Sequence, residues 1–167
     1  MSISLLRTNE EITEIYKRHG HMVYRIALMM IKYRTEAEDV TQTVFIKLIE
    51  NGKTFKSDEH LKAWLIVTTK NTCKDMLKSR WFSKRANYDE LTEQPYIPDQ
   101  TAKEFWDVIV NLDEKYKLPL YLYYYEGYKT EEIAKMLKIK QATIWTQMRT
   151  AKKKLREQLE KEGARYE

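Results

Sequence analysis

The segment 127–155 of this 167-residue chain constrains the fold most, because it predicts two short helices joined by a tight turn. Thr130 is a suitable N-cap for the first helix, and the acidic residues after it complement the helix dipole. Apolar residues recur at helical spacing in both halves. The positions expected to be buried are Ile133, Ala134, Leu137, Thr143, Ile144, Met148, Ala151 and Leu155. Two helices crossing over a shared apolar seam form the helix-turn-helix that places a helix in the major groove of DNA.

The charge of this segment favours the same interpretation. Every charged residue from Ile133 to Arg156 is basic, and a phosphate backbone is a natural partner for such a field. The turn departs from the usual motif. Lys138 occupies a position where a left-handed backbone favours glycine. Lys140 would cap the second helix without a side-chain acceptor. A solvated lysine face on an ordinary helix pair is the alternative interpretation.

The composition predicts an all-α protein in a reducing compartment. Glycine and proline are few, at 4 and 3 residues, which suits helices rather than hairpins. The single cysteine, Cys73, excludes an internal disulfide. The longest apolar run, near residues 26–31, is too short to span a bilayer, and no signal-peptide pattern precedes it. We therefore expect a cytoplasmic protein.

The chain is predicted to consist of two helical units joined by a linker. From about residue 81 to residue 103 the sequence is polar, lacks helical periodicity and contains Pro95 and Pro98. A structureless stretch of that length is uncommon inside a compact domain. The expected boundaries are 1–82 for the first unit, 83–103 for the linker and 104–167 for the second unit.

The first unit is predicted to contain four helices. The first starts at Thr8 with a capping box to Glu11, and the second spans about 21–33. The third opens with a capping box between Thr35 and Glu38 and stops at Gly52, and the fourth spans about 58–78. The inner positions expected for these helices are Ile12, Ile15, Tyr16, Val23, Ile26, Ala27, Met30, Val40, Val44, Leu48, Leu61, Trp64, Leu65 and Leu77. In the second unit, the tyrosine-rich run 121–125 is interpreted as the first turns of a helix.

Two surfaces of the first unit are candidates for binding. On the fourth helix, basic residues at intervals of four or eight lie beside Asn71 and follow a polar loop that contains Phe55. Such a mixture suits single-stranded DNA, whose exposed bases stack and form hydrogen bonds, although a solvated lysine face is the simpler alternative. The basic residues at these intervals are Lys62, Lys70, Lys74 and Lys78, and Arg80, Lys84 and Arg85 extend the stripe. On the third helix, acidic and amide residues near Phe45 suit a partner helix, or simply complement the helix dipole.

The sequence shows no catalytic constellation. His19, His21 and His60 lack metal-ligand spacing, and one cysteine cannot build a structural zinc site. No glycine loop for phosphate is present, and Cys73 is best interpreted as a small packed residue. We expect no enzyme activity, no cofactor, no metal and no small-molecule substrate.

Taken together, the motifs resemble those of bacterial RNA polymerase sigma factors of the extracytoplasmic-function (ECF) type. The region 2 pattern of Asp, Gln and Phe at intervals of three is supplied by Asp39, Gln42 and Phe45, with Thr43 where the family often has Glu. A Trp-Leu pair and an Asn-x-x-x-Asp segment follow as Trp64, Leu65, Asn71 and Asp75. The segment 113–157 is similar to region 4 through its helix-turn-helix. The resemblance covers almost the whole chain.

The resemblance implies three binding surfaces and their partners. RNA polymerase core, through its clamp coiled coil and flap, would be bound at Asp39, Gln42 and Phe45. Melted minus-ten promoter DNA would be bound at Phe55, Asp58, His60, Lys70, Asn71, Lys74 and Lys78. The duplex minus-thirty-five element would be read by Gln141, Trp145, Thr146, Arg149, Thr150, Lys152 and Lys153. An anti-sigma factor, which in some cases holds its partner at the membrane, is also implied.

A different class of function remains open for a chain with a helix-turn-helix. The chain could be a transcriptional regulator whose N-terminal unit binds an effector or dimerises. That interpretation requires a ligand pocket or a two-fold interface and palindromic half-sites. Co-purification with core polymerase would distinguish the two classes.

Overall fold

The computed structural model describes residues 8–52, 54–82, 106–107 and 109–165, and every regular element within these ranges is a helix. The all-α prediction is therefore confirmed. The chain divides into two compact units, Met1–Pro95 and Tyr96–Glu167. The predicted linker, residues 83–103, with Lys84 and Arg85, lies outside the described residues. No helix in the described part of the chain combines the length and the apolar character needed to cross a bilayer.

Three helices form the described part of the first unit, rather than the four predicted. They are α1 (Asn9–Ile31), α2 (Arg34–Glu50) and α3 (Asp58–Phe82). Helix α1 replaces the first two predicted helices and continues through Gly20, which is buried. A glycine inside a helix costs only about 1 kcal/mol, and the apolar face is continuous on both sides of it. Burial of Ile15, Met22, Val23 and Ile26 therefore holds the helix together across this position.

The helix ends show which capping predictions were correct. The box at the start of α1 is confirmed, because Glu11 N–H donates to Thr8 Oγ1 at 3.1 Å and Thr8 N–H donates to Glu11 Oε2 at 3.0 Å. The box predicted between Thr35 and Glu38 is wrong, since α2 already begins at Arg34 and Glu38 accepts from Arg34 Nε at 3.2 Å. Helix α1 ends where Lys32 adopts a left-handed backbone with φ of 71°. Only two residues therefore connect α1 to α2.

The core of the first unit is mostly apolar and is shared by the three helices described for it. The predicted inner stripe of α2 is confirmed, since Val40, Val44 and Leu48 are fully buried. Helix α3 contributes Leu65 and Ile66, whereas Trp64 and Leu77 are only half-buried, contrary to prediction. Helix α2 stops at Glu50, with Asn51 rather than the predicted Gly52 as its C-cap.

The described helices of the second unit are α4 (Glu114–Tyr124), α5 (Thr130–Leu137) and α6 (Gln141–Arg165). The tyrosine run forms the last turns of α4, not the first, because the helix starts after Asp113 and continues through Pro119. Tyr121 is buried and its hydroxyl donates to Glu126 Oε1 at 2.7 Å. Tyr123, Tyr124 and Tyr125 are exposed.

Helices α5 and α6 form the predicted helix-turn-helix. Thr130 is the first helical residue rather than the N-cap, and Glu132 Oε1 accepts from the N–H of the capping residue Lys129 at 3.1 Å. Lys138 has the predicted left-handed backbone, with φ of 55°. The predicted seam is largely confirmed, whereas Thr143 is exposed and Leu155 is half-buried. The buried seam residues are Ile133, Ala134, Leu137, Ile144, Met148 and Ala151.

Candidate nucleic-acid and partner interfaces

The candidate partner surface on α2 divides into exposed and buried residues. Asp39 and Gln42 are exposed and lie off the inner stripe, as expected. Phe45 is buried instead, with 6% of its surface accessible, and its ring packs edge-to-face on Tyr16 of α1 at 5.0 Å between centroids. Phe45 therefore packs beneath this surface, whereas the side chains of Asp39 and Gln42 are exposed on it.

Three exposed apolar side chains lie on this surface; the two isoleucines were missed by the sequence analysis, and Tyr16 was wrongly predicted to be buried. Tyr16 is 54% exposed, Ile46 51% and Ile49 37%. The two isoleucines follow Gln42 at intervals of four and seven residues, so they continue its face of α2. This spacing, on a face outside the inner stripe of α2, is the sequence signal that could have revealed the two exposed isoleucines. The result is a continuous stripe of one acid, one amide and apolar residues, which is the composition of a protein–protein contact.

The loop before α3 and the first turn of that helix, residues 55–60 and together called the loop 55–60, are held by bonds from their own side chains. Ser57 Oγ accepts from His60 N–H at 3.1 Å, which caps α3, and His60 Nδ1 accepts from Lys56 N–H at 3.2 Å. The Phe55 ring packs edge-on against His60 at 5.3 Å and against Trp64 at 5.7 Å. The predicted minus-ten residues Phe55 and His60 are therefore brought together in one aromatic group.

Asp58, another predicted minus-ten residue, is bonded to α1. Its Oδ1 lies 3.0 Å from Nε2 of the buried His19 and 3.2 Å from Arg18 NH2. The hydrogen bond from His19 lowers the pKa of the Asp58 carboxyl, and the charges of His19, Arg18 and Lys62 act in the same direction, against a smaller opposing effect of burial. Asp58 is therefore held as a carboxylate whose Oδ1 contacts α1.

The remaining minus-ten candidates form a basic face on α3. At 100° per residue, His60, Asn71 and Lys78 fall within about 20° of one another around the helix. Asn71, Lys74 and Lys78 are exposed. Lys70 is half-buried, and desolvation, followed by the charge of Lys74, lowers its pKa. A nearby anion would favour the charged form of Lys70 and act against both effects.

The candidate minus-thirty-five residues lie along the outer side of α6. Trp145 is 57% exposed, and Arg149 and Lys153 follow it at intervals of four. Thr146 is also exposed, although its Oγ1 donates to the Ala142 carbonyl at 3.0 Å, and Gln141 opens the helix, exposed. Thr150 is half-buried at the margin. The ring, the guanidinium and the ammonium together present the groups that a major-groove contact uses.

Lys152 differs from the other cations of this helix. Its Nζ lies 5.6 Å from the centroid of Tyr123 and 5.8 Å from that of Tyr124, both on α4. Cation–π contacts of this length stabilise the packing of α4 on α6. Lys152 therefore contributes to the packing of α4 on α6 as well as to the positive charge of the unit.

No candidate metal site is found among the residues that the structure describes. No group of three or more His, Cys, Asp or Glu side chains within them is arranged to hold a metal ion. Cys73 is buried, in keeping with the packed role expected for it.

Known proteins similar to this chain share both units. Residues 15–83 match the family described as Sigma-70 region 2, and residues 102–155 match Sigma-70, region 4. The chain is 22% identical to the ECF RNA polymerase sigma factor SigX of Bacillus subtilis strain 168, over 87% of this chain and 82% of that protein. It is 29% identical to RNA polymerase sigma factor SigV of the same organism, over 86% and 88%. In fold it is similar to the sigma factor RpoE of Bartonella quintana, solved in complex with the anti-sigma factor NepR, with a TM-score of 0.71, 18% identity and coverage of 90% and 98%.

Proposed function

This chain belongs to the sigma-70 family and is an ECF-type sigma factor, and from that premise we propose how its two units divide the work. An alternative sigma factor binds RNA polymerase core and directs it to promoters, where transcription starts. We assign core docking and minus-ten DNA to the first unit, residues 1–82, and minus-thirty-five DNA to the second, residues 104–167. Residues 83–103 tether the two, so that binding by one unit makes the other contact intramolecular. The protein contributes binding and no catalysis of its own.

One observation carries the proposal: the first unit presents two chemically different faces. The outer face of α2 is acidic and apolar, whereas the face of α3 is basic and starts at an aromatic group. The first suits a protein surface and the second suits single-stranded DNA. A protein that joins a polymerase to an opened promoter needs both.

Core docking is tested at Asp39. We expect Asp39→Arg to weaken binding to core at least about tenfold, because it reverses a charge within the proposed contact. The measurement is a quantitative pull-down with purified core. Glu14→Arg is the matched control, since Glu14 is exposed on α1 and lies about 200° around that helix from Tyr16. Equal affinities of Asp39→Arg and the wild type would remove α2 as the docking surface.

Promoter opening is tested at Asn71, whose amide can form hydrogen bonds with an unstacked base beside the lysines that hold its phosphates. We expect Asn71→Ala to bind core normally and to reduce opening, measured by permanganate footprinting with reconstituted holoenzyme. On a premelted template the defect of Asn71→Ala should be relieved if Asn71 acts on melting alone. The defect should persist on that template if Asn71 also recognises the base. Ser79→Ala, an exposed polar position about 80° away from Asn71 around α3, is the control. Wild-type opening by Asn71→Ala on duplex DNA would exclude this residue from the site.

The second unit is proposed to read the duplex through α6, with Trp145 and Arg149 at base edges and Lys153 at phosphates. The complex of a similar fold with an anti-sigma factor supports the further proposal that such a partner restrains this chain, and a membrane-bound partner would hold it at the membrane.

The competing interpretation, a regulator with an effector or dimerisation domain, is not favoured. Region 2 of the sigma-70 family occupies residues 15–83, where that domain would have to lie.

A further inference from the structure

We infer that His19 of α1 is a positioning residue for the loop 55–60, and that Asp58 acts as the link between them rather than as a DNA contact. The inference rests on the proposed minus-ten role of that loop and names a residue, 36 positions or more away in sequence, on which it depends. His19 lies outside every set of residues considered for DNA above.

The geometry forms one connected path from the core to the loop. His19 is buried, and its Nε2 lies 3.0 Å from Asp58 Oδ1. Asp58 is the first residue of α3 and follows Ser57, whose hydroxyl caps His60. The His60 ring in turn contacts Phe55. A shift at the His19 end therefore moves the aromatic group at the other end.

Burial indicates which of the two α1 partners matters more. Arg18 also bonds Asp58, at 3.2 Å, but both side chains of that pair are about half exposed, and exposed ion pairs contribute little. The side chain of His19 is only 8% exposed. A buried imidazole needs a hydrogen-bond partner, whereas an apolar side chain at this position would need none. The hydrogen bond to Asp58 explains why a polar residue, His19, occupies this core position.

The same geometry argues against a direct DNA contact by Asp58. Its Oδ1 accepts a hydrogen bond from His19 and forms an ion pair with Arg18, and both interactions lower its pKa. A carboxylate held in its charged form repels the phosphates that the neighbouring lysines attract. The arrangement places Asp58 between α1 and the loop, where its charge is compensated by the protein.

The first experiment measures the loop in the free, full-length chain. We expect His19→Leu to accelerate hydrogen exchange at the amides of Lys56 and His60, whose bonds close the loop. His19→Gln, which keeps a side-chain N–H donor, should restore slow exchange. His21→Leu, an exposed histidine on the same helix, is the matched control and should change neither amide. Unchanged exchange in His19→Leu, with thermal melting confirming that it is folded, would overturn the inference.

The second experiment measures function in the reconstituted holoenzyme on a premelted minus-ten bubble. His19→Leu should weaken bubble binding about five- to tenfold, somewhat less than a whole charge-assisted hydrogen bond because His19 acts through the loop, and should reduce discrimination between bases in the opened strand. His19→Gln should recover both properties, which a loss of packing alone would not explain.

A double-mutant cycle with Asp58→Ala separates a link from a direct contact. The Asp58 side chain is 47% exposed, so its truncation leaves no buried cavity. If Asp58 acts through His19, the double variant binds the bubble no worse than the weaker single variant. Effects that multiply would mean that Asp58 touches DNA independently, and the inference would be wrong. If Phe55→Ala left bubble binding unchanged, the proposed role of the loop would fail, while hydrogen exchange would still decide whether His19 positions it.

Discussion

The two helices proposed to meet DNA are preceded by connections of opposite construction. Before α3, side chains of the loop 55–60 bond to one another and to α1, through Ser57, Asp58 and His60. Before α6, the turn 138–140 is made by backbone bonds, with Ile139 N–H donating to the Ala134 carbonyl at 3.0 Å and Thr143 N–H donating to the Lys140 carbonyl at 2.9 Å. The first connection is specified by its side chains, whereas the second requires little from them.

The difference matches the two tasks. An unstacked base must be enclosed, so the loop itself is part of the binding surface and its side chains must be fixed. A duplex is read by the exposed face of a helix, so the turn has only to orient that helix. We therefore expect substitutions in the first connection to change function, and substitutions in the second to change mainly stability.

The largest effect should come from the reading face of α6. Arg149→Ala should weaken binding to the cognate minus-thirty-five sequence by ~1–3 kcal/mol and relax preference at one base pair. Lys153→Ala should weaken binding to all sequences alike and reduce the salt dependence, as a phosphate contact does. Fluorescence anisotropy with a panel of single-base variants measures both. A uniform loss for Arg149→Ala would make it a phosphate contact as well.

Next in size is the capping residue of the first connection. Ser57→Ala removes the acceptor for His60 N–H and should lower the free energy of unfolding of the first unit by about 1 kcal/mol. Because the same bond orders the loop, promoter opening should fall too. Denaturant unfolding and permanganate reactivity are the measurements. Loss of stability with full opening would show that the loop does not depend on this cap.

A smaller effect of opposite sign is expected at the second connection. Lys138 has a left-handed backbone that glycine adopts without strain, so Lys138→Gly should raise the stability of the second unit by ~0.5 kcal/mol after the greater flexibility of the unfolded chain is counted. DNA sequence preference should be unchanged. Lys135→Gly, inside α5, is the control and should destabilise the unit by about 1 kcal/mol. Destabilisation by Lys138→Gly would mean that the lysine side chain contributes to the turn.

The smallest effect is the acid dependence of the first connection. The pKa of Asp58 is lower in the folded chain than its ordinary value of 3.8. Its contribution is therefore complete above that value and is lost as the pH falls through the lower folded pKa. Asp58→Asn should flatten the decline in stability of the first unit below about pH 4, measured by urea unfolding at a series of pH values. An identical slope in the variant would indicate that the ion pairs of Asp58 do not contribute to stability.

Local periodicity was sufficient to predict the helices and most of the core, because burial repeats at the helical spacing in α2, α5 and α6. It failed at Gly20, where tertiary burial on both sides keeps α1 continuous, and at Pro119, which α4 includes. The candidate surfaces were predicted as sets of residue types, yet Phe45 proved buried and Ile46 exposed. The bonds from His19 to Asp58 span 39 residues, and no local pattern encodes a contact at that separation.

The two-residue connection at Lys32 and Tyr33 has a consequence for the order of assembly during synthesis. Helices α1 and α2 are joined so closely that their packing requires little loop-closure entropy, and such local contacts form early. The pair of Tyr16 and Phe45, which supports the α2 surface, belongs to this helical hairpin. Because α3 follows later from the ribosome, we expect the surface proposed for polymerase to form in the nascent chain before the surface proposed for DNA.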